Sequence, residues 1–302
     1  MVPQSFVDVL VAVALVGSVF LAMFAYTGNW PPLVVIESKS MQHSGTESEI
    51  GIMDTGDLAM VKTVASASEI TSYAAALRTD YRTYGDFGDV VIYWRGGDQT
   101  KTPIIHRAVV FLDANEDGSF SAPELQWLTA GADYAMTNAS DSWSHITSDF
   151  RLPHYGYRDM NLIIPVANML ESMALKGIDV HSGYITKGDF NSVVDQILFS
   201  NAREPVSFEW IHGVATGEIP WFGAVKLFLT GSLPEDTPAN SIALLWASIA
   251  AIVAIPIGSE AYIWWRGRKE EGAEGAREGT HDAAERKPPG ETPPTEKKNE
   301  KK

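Results

Sequence analysis

The chain has 302 residues, a formal net charge of -15 and no cysteine. The lack of cysteine excludes thiol catalysis, disulfides and thiolate-bound zinc. The acidic excess argues against a nucleic-acid partner, because neutralising phosphates requires Lys and Arg. The length allows one large domain with appendages.

The chain begins with an apolar segment, residues 6–26, in which Asp8 is the only charged residue. A bilayer core about 30 Å thick needs roughly 20 helical residues, so this segment can span it. A cleaved signal peptide is the alternative, but the basic n-region and the small residue before a cut are missing. We therefore expect residues 1–26 to be a retained N-terminal transmembrane anchor.

A second apolar segment, residues 241–265, ends in a Trp pair and is followed at once by Arg266. Basic flanking residues favour the cytoplasmic side of a membrane. Two spans then place both termini in the cytoplasm and residues 27–240 outside it, as in a multi-pass protein of the cell membrane. Residues 266–302 have mixed charge and many Gly and Pro residues, which predicts a disordered cytoplasmic tail.

The extracytoplasmic segment is predicted to be mostly β. Apolar, β-branched and aromatic runs bounded by turn residues predict strands at 33–37, 58–64, 89–94, 104–112, 183–186 and 206–211. Helical pieces are predicted at 66–78, 123–135 and 166–175. The short amphipathic stretch 217–229, just before the second span, predicts an interfacial helix, with a buried core segment as the alternative.

Three separate segments carry the groups that serine-protease chemistry requires. Ser40 follows the first predicted strand, His106 lies on the strand 104–112, and Asp189 and Asp195 follow the strand 183–186. Serine is a weak nucleophile and needs a neighbouring base. Histidine can take its proton and return it to a leaving group, and a carboxylate orients the imidazole. The other histidines are expected to be core or surface residues.

The ordered motifs resemble type I signal peptidase, in the branch found in archaea and the endoplasmic reticulum. They are S-x-S-M from Ser38, G-D at 56–57, G-D-V-V at 88–91, I-H-R at 105–107 and T-K-G-D-x-N at 186–191, followed by Asp195. The resemblance covers residues 1–112 and 180–230. It implies a mostly β, signal-peptidase-like catalytic ectodomain with an α-containing insertion, flanked by two transmembrane helices. It also implies removal of signal peptides from exported preproteins, with no cofactor for catalysis.

Position by position, the resemblance implies that Ser40 is the nucleophile and His106 the general base. Asp195 is the preferred partner of His106, and Asp189 has a supporting or structural role. Ser38 matches the position of an oxyanion-stabilising hydroxyl. The implied partners are signal peptides of secretory preproteins, the lipid bilayer and, as a candidate, the protein-export translocon.

Two departures from the family pattern lie beside Ser40. Lys39 stands where glycine is usual, and Gln42-His43 replaces the common acidic residue and proline. Neither change removes a reacting group.

Residues 113–124 match the twelve-residue EF-hand calcium loop. The expected ligands are Asp113, Asn115, Asp117, Ser119 through its carbonyl, Ser121 through water, and Glu124. The alternative is an acidic turn, because the preceding residues predict a strand where an EF-hand has a helix. We expect a structural Ca²⁺ to stabilise the insertion, residues 113–180, in a chain that has no disulfides.

A function of another class is also open. The chain could be a non-catalytic, membrane-anchored calcium-binding ectodomain that acts as a sensor or adhesin.

Overall fold

The structure is a computed structural model that describes residues 4–199 and 203–285. The chain divides into two compact units, residues 1–245 and 246–302. The described residues have mixed α and β structure in which antiparallel sheets predominate.

The first unit holds the strands of three sheets. In chain order the strands are β1 Leu33–Val35, β2 Leu58–Lys62, β3 Arg82–Thr83, β4 Asp86–Phe87, β5 Val90–Tyr93, β6 Ile104–Ala114, β7 Phe120–Ser121, β8 Ala135–Met136, β9 Phe150–Tyr155, β10 Met160–Ile164, β11 Gly183–Lys187 and β12 Ile211–Ile219. The main sheet has the order β1-β2-β12-β5-β6-β11, and β7 pairs with β6. A second sheet has the order β10-β9-β8, and β3 pairs with β4.

The register of the main sheet positions the candidate site. His106 on β6 lies opposite Val91 of β5, and Arg107 lies opposite Lys187 of β11. β6 is buried along most of its length, as expected for a central strand rich in Ile and Val. Its neighbours therefore present side chains to His106 from both sides.

The helices in chain order are α1 Gln4–Thr27, α2 Tyr73–Ala76, α3 Val166–Lys176, α4 Asp195–Leu198, α5 Gly223–Leu229 and α6 Ala239–Glu285. The prediction for 166–175 agrees with α3, which ends at Gly177 in the left-handed conformation that favours glycine. The predicted helix 66–78 shrinks to a 3-10 turn and α2, and that at 123–135 to a 3-10 helix, Pro123–Trp127.

The predicted strand 206–211 is wrong, because β12 starts only at Ile211. Two glycines interrupt the apolar pattern of β12, so the sequence pattern did not predict this strand. Gly213 is needed there, since a Cβ would collide with the Lys62 carbonyl of the adjacent strand. The stretch 217–229 is divided between the end of β12 and α5, so it is neither one helix nor one buried segment.

The insertion is not a separate domain, because it shares a hydrophobic core with the main sheet. Phe150 and Leu162 of the second sheet and Met169 of α3 are fully buried with Val109 of β6 and Ile185 of β11. The hairpin β9–β10 is thereby held rigidly against the strands that carry the candidate site.

Two helices are long and apolar enough to span a bilayer, over Phe6–Thr27 and Ala239–Lys269. On α1 nearly all side chains from Phe6 to Tyr26 are exposed, as expected for a lipid-facing helix. α6 continues to Glu285, through the first part of the predicted disordered tail. The Ala, Glu, Lys and Arg residues there are strong helix formers, a preference that the disorder prediction did not weigh. Residues 286–302 lie outside the described residues.

Candidate active site

Ser40 is held on a short 3-10 helix, Lys39–Met41, that follows the end of β1. Upstream, Ile36 exchanges backbone hydrogen bonds with the 56–57 turn: its N–H donates to the Asp57 carbonyl and its carbonyl accepts from Gly56, each at 2.9 Å. Downstream, the buried Met41 side chain anchors the segment in the core. Ser40 is therefore fixed on both sides and remains half-exposed.

Ser38 lies close to Ser40. Its backbone is extended, with φ -149° and ψ 159°, and its Oγ is 3.2 Å from the Oγ of Ser40. A second hydroxyl at this distance can contact an oxyanion that forms next to Ser40.

His106 forms a short contact with Asp195, the first residue of α4. His106 Nδ1 lies 2.6 Å from Asp195 Oδ2, and both side chains are buried. The same oxygen accepts hydrogen bonds from the hydroxyls of Tyr93 and Thr186, each at 2.7 Å. Burial, together with the charge of Asp195, raises the pKa of Tyr93 well above its usual range, so its hydroxyl stays a donor. A carboxylate at Nδ1 leaves Nε2 free to act as the base.

Gly188 brings the histidine and the serine segments together. A Cβ at this position would lie 2.8 Å from His106 Nε2 and 2.6 Å from the Ser40 carbonyl oxygen. Only glycine fits between them. The N–H of Phe190, in the same loop, donates to that Ser40 carbonyl at 2.9 Å.

Ser38, Ser40 and His106 line one cleft of about 400 Å³. Its other walls are mostly apolar, and include Val35, Ile36, Met41, Ile104, Ile105, Leu198 and Phe199. β1 is an edge strand of the main sheet, so its outer side is not paired with another of the described strands. An extended apolar peptide could add to such an edge by backbone hydrogen bonds.

Asp189 contacts a different side chain from the one that Asp195 contacts. Its two oxygens accept from Arg107 Nε at 2.8 Å and Arg107 Nη2 at 2.6 Å, and both side chains are fully buried. Burial opposes ionisation, but the Arg107 guanidinium holds the pKa of Asp189 well below its usual range. His43 Nε2 is 3.1 Å from Asp189 Oδ2. In this structure Asp195 is the acid next to His106, and Asp189 belongs to a structural ion pair.

Sequence reasoning gave Tyr93 no role in the site, and it named Thr186 and Arg107 only as members of motifs. Tyr93 carried a usable signal, because it is an aromatic residue with a polar tip on the predicted strand 89–94. His43 was expected to be a core or surface histidine and instead contacts Asp189.

The predicted calcium loop is a β-hairpin turn between β6 and β7. Asp113 Oδ1 accepts from the Ser182 hydroxyl at 2.6 Å, and Asp117 Oδ1 accepts from the Ser119 hydroxyl at 2.6 Å. The Asn115 side-chain amide also donates to Ser119, at 2.8 Å. The strand β6 occupies the place of the first EF-hand helix, so the loop cannot have EF-hand geometry at that end.

Glu124, the expected bidentate ligand, is turned into the core. Its Oε2 accepts from the Ser72 hydroxyl at 2.6 Å and the Phe111 N–H at 3.1 Å. Burial raises the pKa of Glu124 to about 7. Within residues 4–199 and 203–285 no group of three His, Asp or Glu side chains is arranged to hold a metal ion. Calcium binding by residues 113–124 therefore stays a prediction.

No protein-family model matches the chain, and no curated protein matches it. What the site can do chemically therefore follows from its own residues and their geometry.

Proposed function

We propose that the chain is a membrane-bound serine endopeptidase that removes signal peptides from exported preproteins, of the type I signal peptidase kind with a Ser-His-Asp centre. The observation that supports it most is the 2.6 Å contact of His106 with Asp195, beside Gly188, where an added Cβ would collide with both His106 and the Ser40 carbonyl. The order of the sequence motifs agrees with this assignment.

In the proposed reaction, His106 Nε2 takes the proton of the Ser40 hydroxyl as Oγ attacks the scissile carbonyl. The oxyanion is stabilised by the Ser40 N–H and the Ser38 hydroxyl. His106 returns the proton to the leaving amine, and the signal peptide remains as an ester on Ser40. His106 then activates a water that hydrolyses the ester, and Asp195 stays charged to stabilise the imidazolium.

The proposed location follows from the two apolar helices. α1 ends at Thr27 and β1 begins at Leu33, so few residues separate the bilayer from the cleft. Trp30 in this linker packs edge-on against Phe20 and Phe24 of α1. In this proposal both termini are cytoplasmic, the catalytic part is extracytoplasmic, and the substrate arrives from the bilayer, with the protein-export translocon as a candidate partner.

α5 supports membrane contact by the catalytic part. Ala224 and Leu227 are buried, whereas Phe228 and Leu229 are 71% and 78% exposed. A short helix with one buried side and one exposed apolar side suits an interfacial position.

A matched pair of histidine variants tests the function. His106→Asn removes the base, whereas the control His145→Asn replaces a half-exposed histidine that does not line the cleft. Cleavage of a preprotein by the detergent-solubilised full chain, with N-terminal sequencing of the product, should be lost only with His106→Asn. The sensor or adhesin alternative predicts no cleavage by any form, including the wild type.

A further inference from the structure

The tip of the β9–β10 hairpin, residues 156–159, leaves the insertion and contacts the surroundings of the nucleophile. Its backbone is anchored twice: the Gly156 N–H donates to the Tyr73 hydroxyl at 3.0 Å, and the Tyr157 N–H donates to Asp86 Oδ2 at 2.8 Å. Gly156 has a φ of 68°, which favours glycine at this turn. The tip is therefore held in one place, so its side chains can fix their partners.

Arg158 is connected to Ser40 by two consecutive hydrogen bonds. Its Nη1 donates to the Phe190 carbonyl at 2.7 Å, and its guanidinium lies 5.4 Å from the centre of the Phe190 ring. The Phe190 N–H in turn donates to the Ser40 carbonyl at 2.9 Å. Phe190 belongs to the same loop as Gly188, where an added Cβ would lie 2.8 Å from His106 Nε2.

Tyr157 holds the segment on the other side of Ser40. Its ring stacks on His43 with the centroids 3.9 Å apart and the planes 10° apart. Its hydroxyl donates to the Gln42 carbonyl at 3.3 Å. His43 is also 3.1 Å from Asp189, so it lies between the tip and the buried ion pair.

We propose that Tyr157 and Arg158 are positioning residues for the Ser40 nucleophile, an inference that rests on the proposed peptidase function. Neither residue touches the reacting atoms, but together they support both segments that flank Ser40. This role gives a physical reason for Gln42-His43 in place of the family's usual residues, because His43 supplies the ring on which Tyr157 stacks. The insertion thus acts within the chain as a support for the catalytic loop.

Both side chains are accessible enough to be removed without opening the core, since Tyr157 is 37% exposed and Arg158 is exposed. The double variant Tyr157→Ala/Arg158→Ala should lower kcat by about 10- to 100-fold, because a displacement of about 1 Å at a reacting group has that scale of effect. KM should stay within about twofold, since the cleft walls are unchanged. Arg151→Ala, an exposed position on the same hairpin, is the matched control.

The experiment combines preprotein cleavage with amide hydrogen exchange of residues 38–43, both on the full chain in detergent. A selective loss of kcat with faster exchange in the double variant, and neither in Arg151→Ala, supports the proposal. Wild-type-like kcat in the double variant overturns it. If the wild type itself cleaves no preprotein, the proposed function fails, and exchange alone decides the structural role: faster exchange at 38–43 supports it and unchanged exchange overturns it.

Discussion

The substitution Asp195→Asn separates two contributions of this carboxylate to the proposed catalysis, orientation of the imidazole and stabilisation of its charge. Three donors converge on Asp195 Oδ2: His106 Nδ1, the Tyr93 hydroxyl and the Thr186 hydroxyl. Among the described residues, Asp195 Oδ1 has no hydrogen-bond partner and is buried. An asparagine should therefore place its oxygen at the Oδ2 position and its NH₂ at the Oδ1 position. The reverse orientation would point the NH₂ group, itself a donor, at the three donors.

This orientation keeps the imidazole in the tautomer that the proposed reaction needs, so the loss of kcat should come only from the missing carboxylate charge. The imidazolium that forms during attack would lose a carboxylate in direct contact. Two unit charges about 4 Å apart interact by about 4 kcal/mol at an effective dielectric constant near 20. That energy corresponds to about 10³-fold in rate. The unpaired NH₂ should add about 1–3 kcal/mol of destabilisation.

The assay is kcat for preprotein cleavage as a function of pH, with thermal unfolding measured on the same samples. Asp189→Asn is the control. It removes the negative charge that pairs with the buried Arg107, so it should lower the stability more than it lowers kcat. A kcat for Asp195→Asn within tenfold of the wild type would refute the role given to Asp195. So would a loss of kcat in Asp189→Asn greater than that in Asp195→Asn without a matching loss of stability.

Three further results are expected. Arg107→Met leaves the buried Asp189 without its guanidinium partner and should lower the free energy of unfolding by about 3–5 kcal/mol, whereas Arg107→Met/Asp189→Leu also removes the buried charge and should be the more stable of the two. Thermal unfolding in detergent measures both, and equal stability of the two variants would contradict the ion-pair argument. Burial raises the pKa of Glu124 to about 7 from 4.5, so the folded state holds this proton more tightly and stability should fall as the pH rises from 4.5 to 7. Glu124→Gln should remove up to about 3 kcal/mol of that pH dependence. The same dependence of stability on pH in the variant and the wild type would contradict the raised pKa of Glu124. Calorimetry should detect one calcium site that Asp113→Ala abolishes, and a wild-type protein that binds no calcium at millimolar concentration would reject the site.

Much of the main sheet could be predicted from local patterns, because β1, β2, β5, β6 and β11 are short runs of β-branched and aromatic residues. β12 could not, since its Gly213 serves a close approach to β2 that only the paired strands reveal. The short 3-10 turns in place of longer helices reflect burial against the sheet, which overrides local helix preference.

Local sequence patterns identified the residues of the candidate site, but they did not show which acid contacts His106. Asp189 and Asp195 are six positions apart, and no local pattern says which of them meets His106. The choice depends on the β6–β11 register, which sets Arg107 opposite Lys187 and next to Asp189, and on α4, which presents Asp195 at its first turn. Tyr157, the proposed support of the Ser40 segment, is even more distant from Ser40 in sequence. It lies within an insertion that the family resemblance does not cover.

The most direct measurement is preprotein cleavage by Ser40→Ala, compared with the wild type and with Ser66→Ala, a serine outside the cleft. The wild type and Ser66→Ala should release the mature protein at one site, and Ser40→Ala should be slower by on the order of 10⁶, as expected when a serine nucleophile is removed. Cleavage by Ser40→Ala at a rate near that of the wild type would contradict the assignment of Ser40 as the nucleophile.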